Sequence, residues 1–174
     1  IMTRRNDTFV SLKKRTEIAS RSNADIFVSV HANSSPSRGV HGVEVFSLKN
    51  LSVLDKNEGQ RKVNHKLLLK ALDAKATSSD VGNIIEDMLY VHKQEESSYL
   101  AEKVAKKTAS FVKVKNRGAK HARFYVLRNT LIPAILIEVG FLTNPREERL
   151  LKTKSYRQKI AEGLAGSILD YAQQ

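Results

Sequence analysis

The run Ala134-Ile135-Leu136-Ile137-Glu138-Val139-Gly140-Phe141-Leu142 constrains this 174-residue chain more than any other stretch. Eight of its nine residues carry no charge or polar side chain, so it reads as a strand buried on both faces. An ionised carboxylate in such a strand costs several kcal/mol or more unless a metal, a cation or hydrogen bonds compensate it. Glu138 therefore has two readings. It is a strand-end residue paired with Arg or Lys, or it is a functional carboxylate.

A second segment bears on that choice. Asp25-Ile26-Phe27-Val28-Ser29-Val30-His31-Ala32-Asn33-Ser34 is a short β-rich run that ends in a histidine and then in small polar residues. In open α/β sheets, chemistry gathers where strands end. A His at one strand end and a Glu at another converge there, and His is the commonest metal ligand and a frequent acid or base. The plain alternative for His31 is a hydrogen-bonded structural residue.

Five pieces then occur in order: Met2-Thr3-Arg4, Ser29-Val30-His31-Ala32-Asn33, Gly42-Val43-Glu44-Val45, Phe124-Tyr125-Val126-Leu127-Arg128, and Ile137-Glu138-Val139-Gly140-Phe141-Leu142-Thr143-Asn144-Pro145. Together they resemble the zinc-dependent N-acetylmuramoyl-L-alanine amidases of bacterial cell walls, amidase type 3. The resemblance covers most of residues 1–48 and 97–172. It implies that His31 is a zinc ligand, that Glu138 is the catalytic carboxylate, and that the cofactor is Zn2+. It also implies a peptidoglycan substrate, cut between N-acetylmuramic acid and L-alanine, and a periplasmic or cell-wall location. The family has two further zinc ligands, a His and a Glu, in a first strand and helix. No segment of this chain matches them, and the expectation is that they lie upstream of Ile1.

Composition narrows the rest. The length fits one domain, 1–174, expected to act as a monomer. The absence of Cys excludes disulfides and cysteine chemistry. No run of about 18 apolar residues offers a membrane span. The net charge of +12 suggests polyanionic surroundings. Nucleic acid is disfavoured as a partner, because no helix-turn-helix, zinc knuckle or basic stripe with interleaved aromatics is present. Two rivals to the enzyme remain: a basic α/β nucleic-acid-binding domain, and a catalytically inactive cell-wall or activator-binding module of the same fold.

Helices and strands alternate, so the expected architecture is a mixed, mostly parallel α/β sheet with helices on both faces. The pattern predicts a helix over 11–23, with Ser11 as cap and Leu12, Ile18 and Ala19 inward. It predicts strands at 26–31, 42–48, 123–128 and 134–140, and a helix from Ser97 or Ser98 with Leu100, Val104, Thr108 and Phe111 on one face. Pro145 opens a helical turn. A last helix from near Ser155 carries Tyr156, Ile160, Leu164, Ile168 and Tyr171.

Residues 49–96 interrupt the alternation and read as a helical insertion. One helix carries Val63, Leu67, Leu68 and Leu72. Another carries Val81, Ile84, Ile85, Met88 and Leu89, at i, i+3, i+4, i+7 and i+8. The plain reading is a satellite hairpin packed on the domain. The resemblance suggests a lid over the cleft, removed by an activator protein, with those five residues as the regulatory stripe. In the family a Glu of the insertion contacts the metal, but the best local match places Ala76 there. His41, His65, His92 and His121 show no metal-ligand spacing. Glu44 alternates with Val43 and Val45, so it faces away from them, solvated or ion-paired.

Overall fold

The computed structural model describes residues 1–48 and 79–173, with side chains from residue 88 onward in the second stretch. The expected helix through Val63 and Leu72, and His65 and Ala76, lie outside the described residues. Four strands form one sheet: β1 (Phe27–Asn33), β2 (Val43–Leu48), β3 (Asn116–Ala122) and β4 (Ala134–Phe141), in the order β1-β4-β2-β3. β1 runs parallel to β4 and β2 parallel to β3, while β2 and β4 are antiparallel. The sheet is thus mixed and mostly parallel. β4 is buried along its whole length, as its apolar run requires.

Among the described residues five helices cover it: α1 (Leu12–Arg21), α2 (Ser79–Val112), α3 (Tyr125–Arg128), α4 (Pro145–Lys152) and α5 (Lys154–Ala172). Side-chain alternation sorts the strands into two faces. Val43, Val45, Ile135, Ile137 and Val139 meet Leu100, Val104 and Ala105 of α2 and Ile160 and Leu164 of α5. On the other face Phe27, Leu48, Ala134 and Leu136 meet Ala19 of α1 and Val126 and Leu127 of α3. The caps follow the sequence. Ser11 accepts from the Lys14 amide, and Asn144 accepts from the Arg146 and Glu147 amides ahead of Pro145. None of the described helices is long and apolar enough to cross a membrane.

Three expectations fail locally. First, no helix starts at Ser97 or Ser98. α2 runs through them as one 34-residue helix, because Ser97 donates back to the Lys93 carbonyl at 2.6 Å and accepts from the Ala134 amide at 2.9 Å. A serine that bonds to the preceding turn sits inside a helix without breaking it. Lys93, Gln94 and Ser97 are buried on the face of α2 that packs on the sheet. Second, 123–128 is not a strand. The strand before β4 is β3, and Tyr125–Arg128 is a single helical turn that buries Val126 and Leu127 while the chain reverses. Third, Leu12 is exposed, and Thr16 takes the inward place.

Two polar devices lock this frame. Gly42 has φ +109°, and a Cβ there would sit 2.3 Å from the Lys115 carbonyl oxygen that receives the Val43 amide, so no other residue fits. Lys93 of α2, 3% exposed, donates to the carbonyls of Leu127, at 2.7 Å, and Thr130. It thereby serves one orphan carbonyl in the last turn of α3 and one just beyond its C-terminal cap. Burial pushes its amine down to about 7. A neutral amine keeps two N–H groups, enough for both acceptors.

The sign of the resulting pH dependence follows from proton counting. Between about pH 7 and the unfolded lysine value near 10.4, the unfolded chain binds a proton that the folded chain has lost. Stability from this group therefore rises with pH across that window. In Lys93→Met the contribution vanishes and two buried carbonyls lose their donor. Urea midpoints should show a wider gap between wild type and Lys93→Met at about pH 9.5 than at about pH 6. A gap that does not change with pH would place the charged amine, not the neutral one, in the folded protein.

Candidate active site

The second face of the sheet changes character partway along. Ala134 and Leu136 of β4 pack against α1 and α3, and the next residue on that face is Glu138. In the sheet register His31 of β1 is the partner of Glu138, and Glu44 of β2 is its partner on the other side. Residues in register point to the same face, so His31, Glu138 and Glu44 form one polar row across three strands. The row lies where β1 and β4 end and β2 and β3 begin, the usual crevice of such sheets. The structure thus brings together the two residues singled out in the sequence.

The two carboxylates have opposite environments. Glu44 is buried, yet it is fully partnered. Arg117 Nε donates to its Oε2 at 2.8 Å, Lys120 Nζ donates to the same oxygen at 2.5 Å, and Asn33 Nδ2 donates to Oε1 at 3.0 Å. Burial alone would raise its pKa, but the hydrogen bonds and charges of Lys120 and Arg117 outweigh burial and hold it below the usual carboxylate value. Glu138 is 6% exposed, and among the described residues its Oε2 has no hydrogen-bond partner. Burial, with the Glu44 charge added, pushes it up to about 7. Like charges on one row cannot both ionise cheaply, and here the neighbour with the cations stays ionised. His31 is exposed at the strand end. Burial of its ring and the nearby charges of Arg15 and Arg4 lower its pKa, which favours the neutral imidazole.

The segment after Glu138 holds the end of the row in shape. Glu147, on the first turn of α4, accepts from the Gly42 amide at 2.8 Å and the Phe141 amide at 2.7 Å. One buried carboxylate thereby ties the start of β2 to the end of β4. The loop after β1 joins the same unit: the Leu142 amide donates to the Asn33 carbonyl and the Ser35 amide to Thr143 Oγ1.

A neutral imidazole and a buried carboxylate oxygen without a partner are donors of the kind a zinc centre uses, and in that sense the pair fits. Among the described residues no three His, Asp or Glu side chains converge as a metal site. His41 turns to the Gly39 carbonyl and His121 to Ser47, away from the row. The expected regulatory stripe is seen only in part. Val81, Ile84 and Ile85 lie on the backbone of α2, but their side chains are outside the described residues. Met88 and Leu89 are 67% and 42% exposed, not buried as their spacing suggests. Among the described side chains, the packed face of α2 begins at Tyr90, which lies against the second core cluster, and continues with the buried Lys93 and Gln94. Sequence reasoning missed Asn33, Arg117 and Lys120. The alternation around Glu44 was their only signal, since it gave the face but not partners more than seventy residues later.

Comparison with known proteins places this geometry. The family described as N-acetylmuramoyl-L-alanine amidase matches residues 1–170. N-acetylmuramoyl-L-alanine amidase AmiA of Salmonella typhimurium is 34% identical over 98% of the chain, which spans 60% of that relative's length. Among solved structures, the amidase AmiC2 of Nostoc punctiforme has 32% identity and a TM-score of 0.70, covering 100% of this chain and 72% of its own. The CwlD amidase from Clostridioides difficile, in complex with the GerS lipoprotein, has 25% identity and a TM-score of 0.71, covering 99% and 75%. The family match over nearly the whole length and the fold shared with solved amidases show that the chain belongs to the N-acetylmuramoyl-L-alanine amidase family.

Proposed function

We propose that this chain carries the catalytic centre of a zinc-dependent peptidoglycan hydrolase. It cleaves the amide between N-acetylmuramic acid and the L-alanine of the stem peptide, in the periplasm or cell wall. The observation that supports this most is the buried, unpartnered Oε2 of Glu138 on the strand position next to His31. A structural carboxylate so placed would have a cation; the cations of this row go to Glu44 instead.

His31 and Glu138 divide the work. His31 would hold Zn2+ through a neutral imidazole nitrogen, as one of its ligands. When bound, the ion lowers the pKa of a coordinated water from 15.7 to about 7 and polarises the amide carbonyl. Glu138, poised near neutrality, takes a proton at Oε2 and returns it to the leaving nitrogen. Glu44 remains ionised and keeps the proton affinity of Glu138 high, while Asn33, Arg117 and Lys120 hold Glu44 in place. In the intact zinc-loaded protein, Glu138→Gln should lower dye release from labelled sacculi by roughly 10²–10⁴-fold with zinc still bound. Near-normal release would refute the shuttle role and favour an inactive module.

The same carboxylate carries a stability cost. Unfolded Glu titrates near 4.3, while folded Glu138 titrates at about 7. Between those values the folded chain holds a proton that the unfolded chain lacks, so its contribution to stability falls as pH rises. The metal-free Glu138→Gln protein should therefore gain more Tm over wild type near pH 8 than near pH 5. A gain independent of pH would exclude the raised value.

We further propose that the segment before the packed part of α2, with Val81, Ile84, Ile85, Met88 and Leu89, regulates access to the cleft and meets an activator protein. The exposed Met88 and Leu89 support it, as does a related amidase solved with a lipoprotein partner. A deletion that tests this must stop before Lys93, because Lys93 and Gln94 are core. Replacing 49–88 with a short Gly/Ser loop should raise sacculus hydrolysis in a protein that still folds by circular dichroism. A folded deletion protein no more active than wild type would reduce the segment to a satellite.

A further inference from the structure

Arg117 and Lys120 reach the same oxygen of Glu44, so two cations face one carboxylate. With Glu44 ionised, the cluster keeps one surplus positive charge. Asn33 serves the other oxygen of Glu44. Both cations also lie over a ring, Lys120 Nζ 5.8 Å from the centroid of Phe46, but Arg117 carries a planar fork of donors where Lys120 carries a point charge. The Nε of Arg117 is spent on Glu44, and its guanidinium carbon lies 5.2 Å from the centroid of the Phe141 ring. These contacts hold the plane of the guanidinium. Among the described residues only Nε takes part in a hydrogen bond, and the side chain keeps 24% exposure while that of Glu44 keeps 5%. A guanidinium held in one plane with its Nη edge unspent is suited to receive a carboxylate through two parallel hydrogen bonds.

Its position relative to the row sets what carboxylate that is. Glu44 is the cross-strand partner of Glu138, and β3 lies one strand beyond. At about 4.8 Å per strand, the free edge falls roughly 5–10 Å from Glu138, on the side away from His31. An extended peptide advances about 3.3–3.6 Å per residue, so the distance corresponds to one to three residues.

We propose that Arg117 binds a carboxylate of the substrate peptide, one to three residues beyond the cleaved amide, and so selects acidic stem peptides over their amidated forms. The proposal rests on the amidase reading of this site and assigns the side of the cleft that receives the peptide.

The test compares two ligands that differ in one group: muramyl-L-alanyl-D-glutamate with a free α-carboxylate, and the same compound as its carboxamide. Turnover of both is measured with intact zinc-loaded wild type, Arg117→Met, Arg117→Lys and Lys120→Met. Binding of both is measured by calorimetry on the same variants in a Glu138→Gln background, where no turnover is needed. Wild type should prefer the carboxylate by roughly 10- to 100-fold, mainly in KM and Kd. Arg117→Met should lose the preference, Arg117→Lys should regain part of it, and Lys120→Met should keep it. Arg117→Met leaves Lys120 and Asn33 on Glu44, and circular dichroism verifies its fold. Equal preference in wild type and Arg117→Met overturns the proposal, as does absence of binding by either ligand. If no variant cleaves but the binding preference depends on Arg117, the carboxylate site stands and the amidase reading falls.

Discussion

Two carboxylates occupy one row of a buried sheet, and the described residues provide cations for only one of them. This asymmetry organises the site. Arg117 and Lys120 come from β3, cross to Glu44 on β2, and leave Glu138 on β4 with a bare oxygen. A buried ion pair is weak evidence for stability, since desolvation offsets most of its attraction. Its effect here is on the neighbour. By staying ionised, Glu44 makes ionisation of Glu138 harder than burial alone would. The sheet order puts β2 beside β4, and without that adjacency the two groups would not interact.

The sequence carried the strands that matter most. β4 was legible because its apolar run has one reading, and β1 because Phe27, Ser29 and His31 alternate with Ile26, Val28 and Val30. β3 was not legible. Asn116-Arg117-Gly118-Ala119-Lys120-His121-Ala122 has no β-branched residue and only one edge of pairing, so no periodicity marks it. The apolar Tyr125-Val126-Leu127 drew the strand assignment instead, although two of its residues reach the core from a single helical turn. At Ser97 local propensity yielded to tertiary structure. A residue that looks like a cap became a hydrogen-bond bridge between the inside of a helix and the first amide of β4.

The same division holds at the site. His31 and Glu138 were visible because each breaks a local pattern. Asn33, Arg117 and Lys120 break none, and their meaning comes from distant chain brought alongside Glu44. Buried basic groups such as Lys93 are also silent in sequence. A lysine in a helix reads as solvated until the carbonyls of Leu127 and Thr130 are found at its tip.

The pairing of β1 with β4 has a consequence for assembly. Phe27 meets Ala134 and His31 meets Glu138, partners separated by about a hundred residues of chain. Contacts of that sequence separation carry the entropy of closing a long loop, which slows folding. β4 also lies between β1 and β2, so the sheet is incomplete until it is inserted. The row of His31 and Glu138 therefore exists only in the completed sheet, and a copy in which β4 is unpaired holds the two side chains apart.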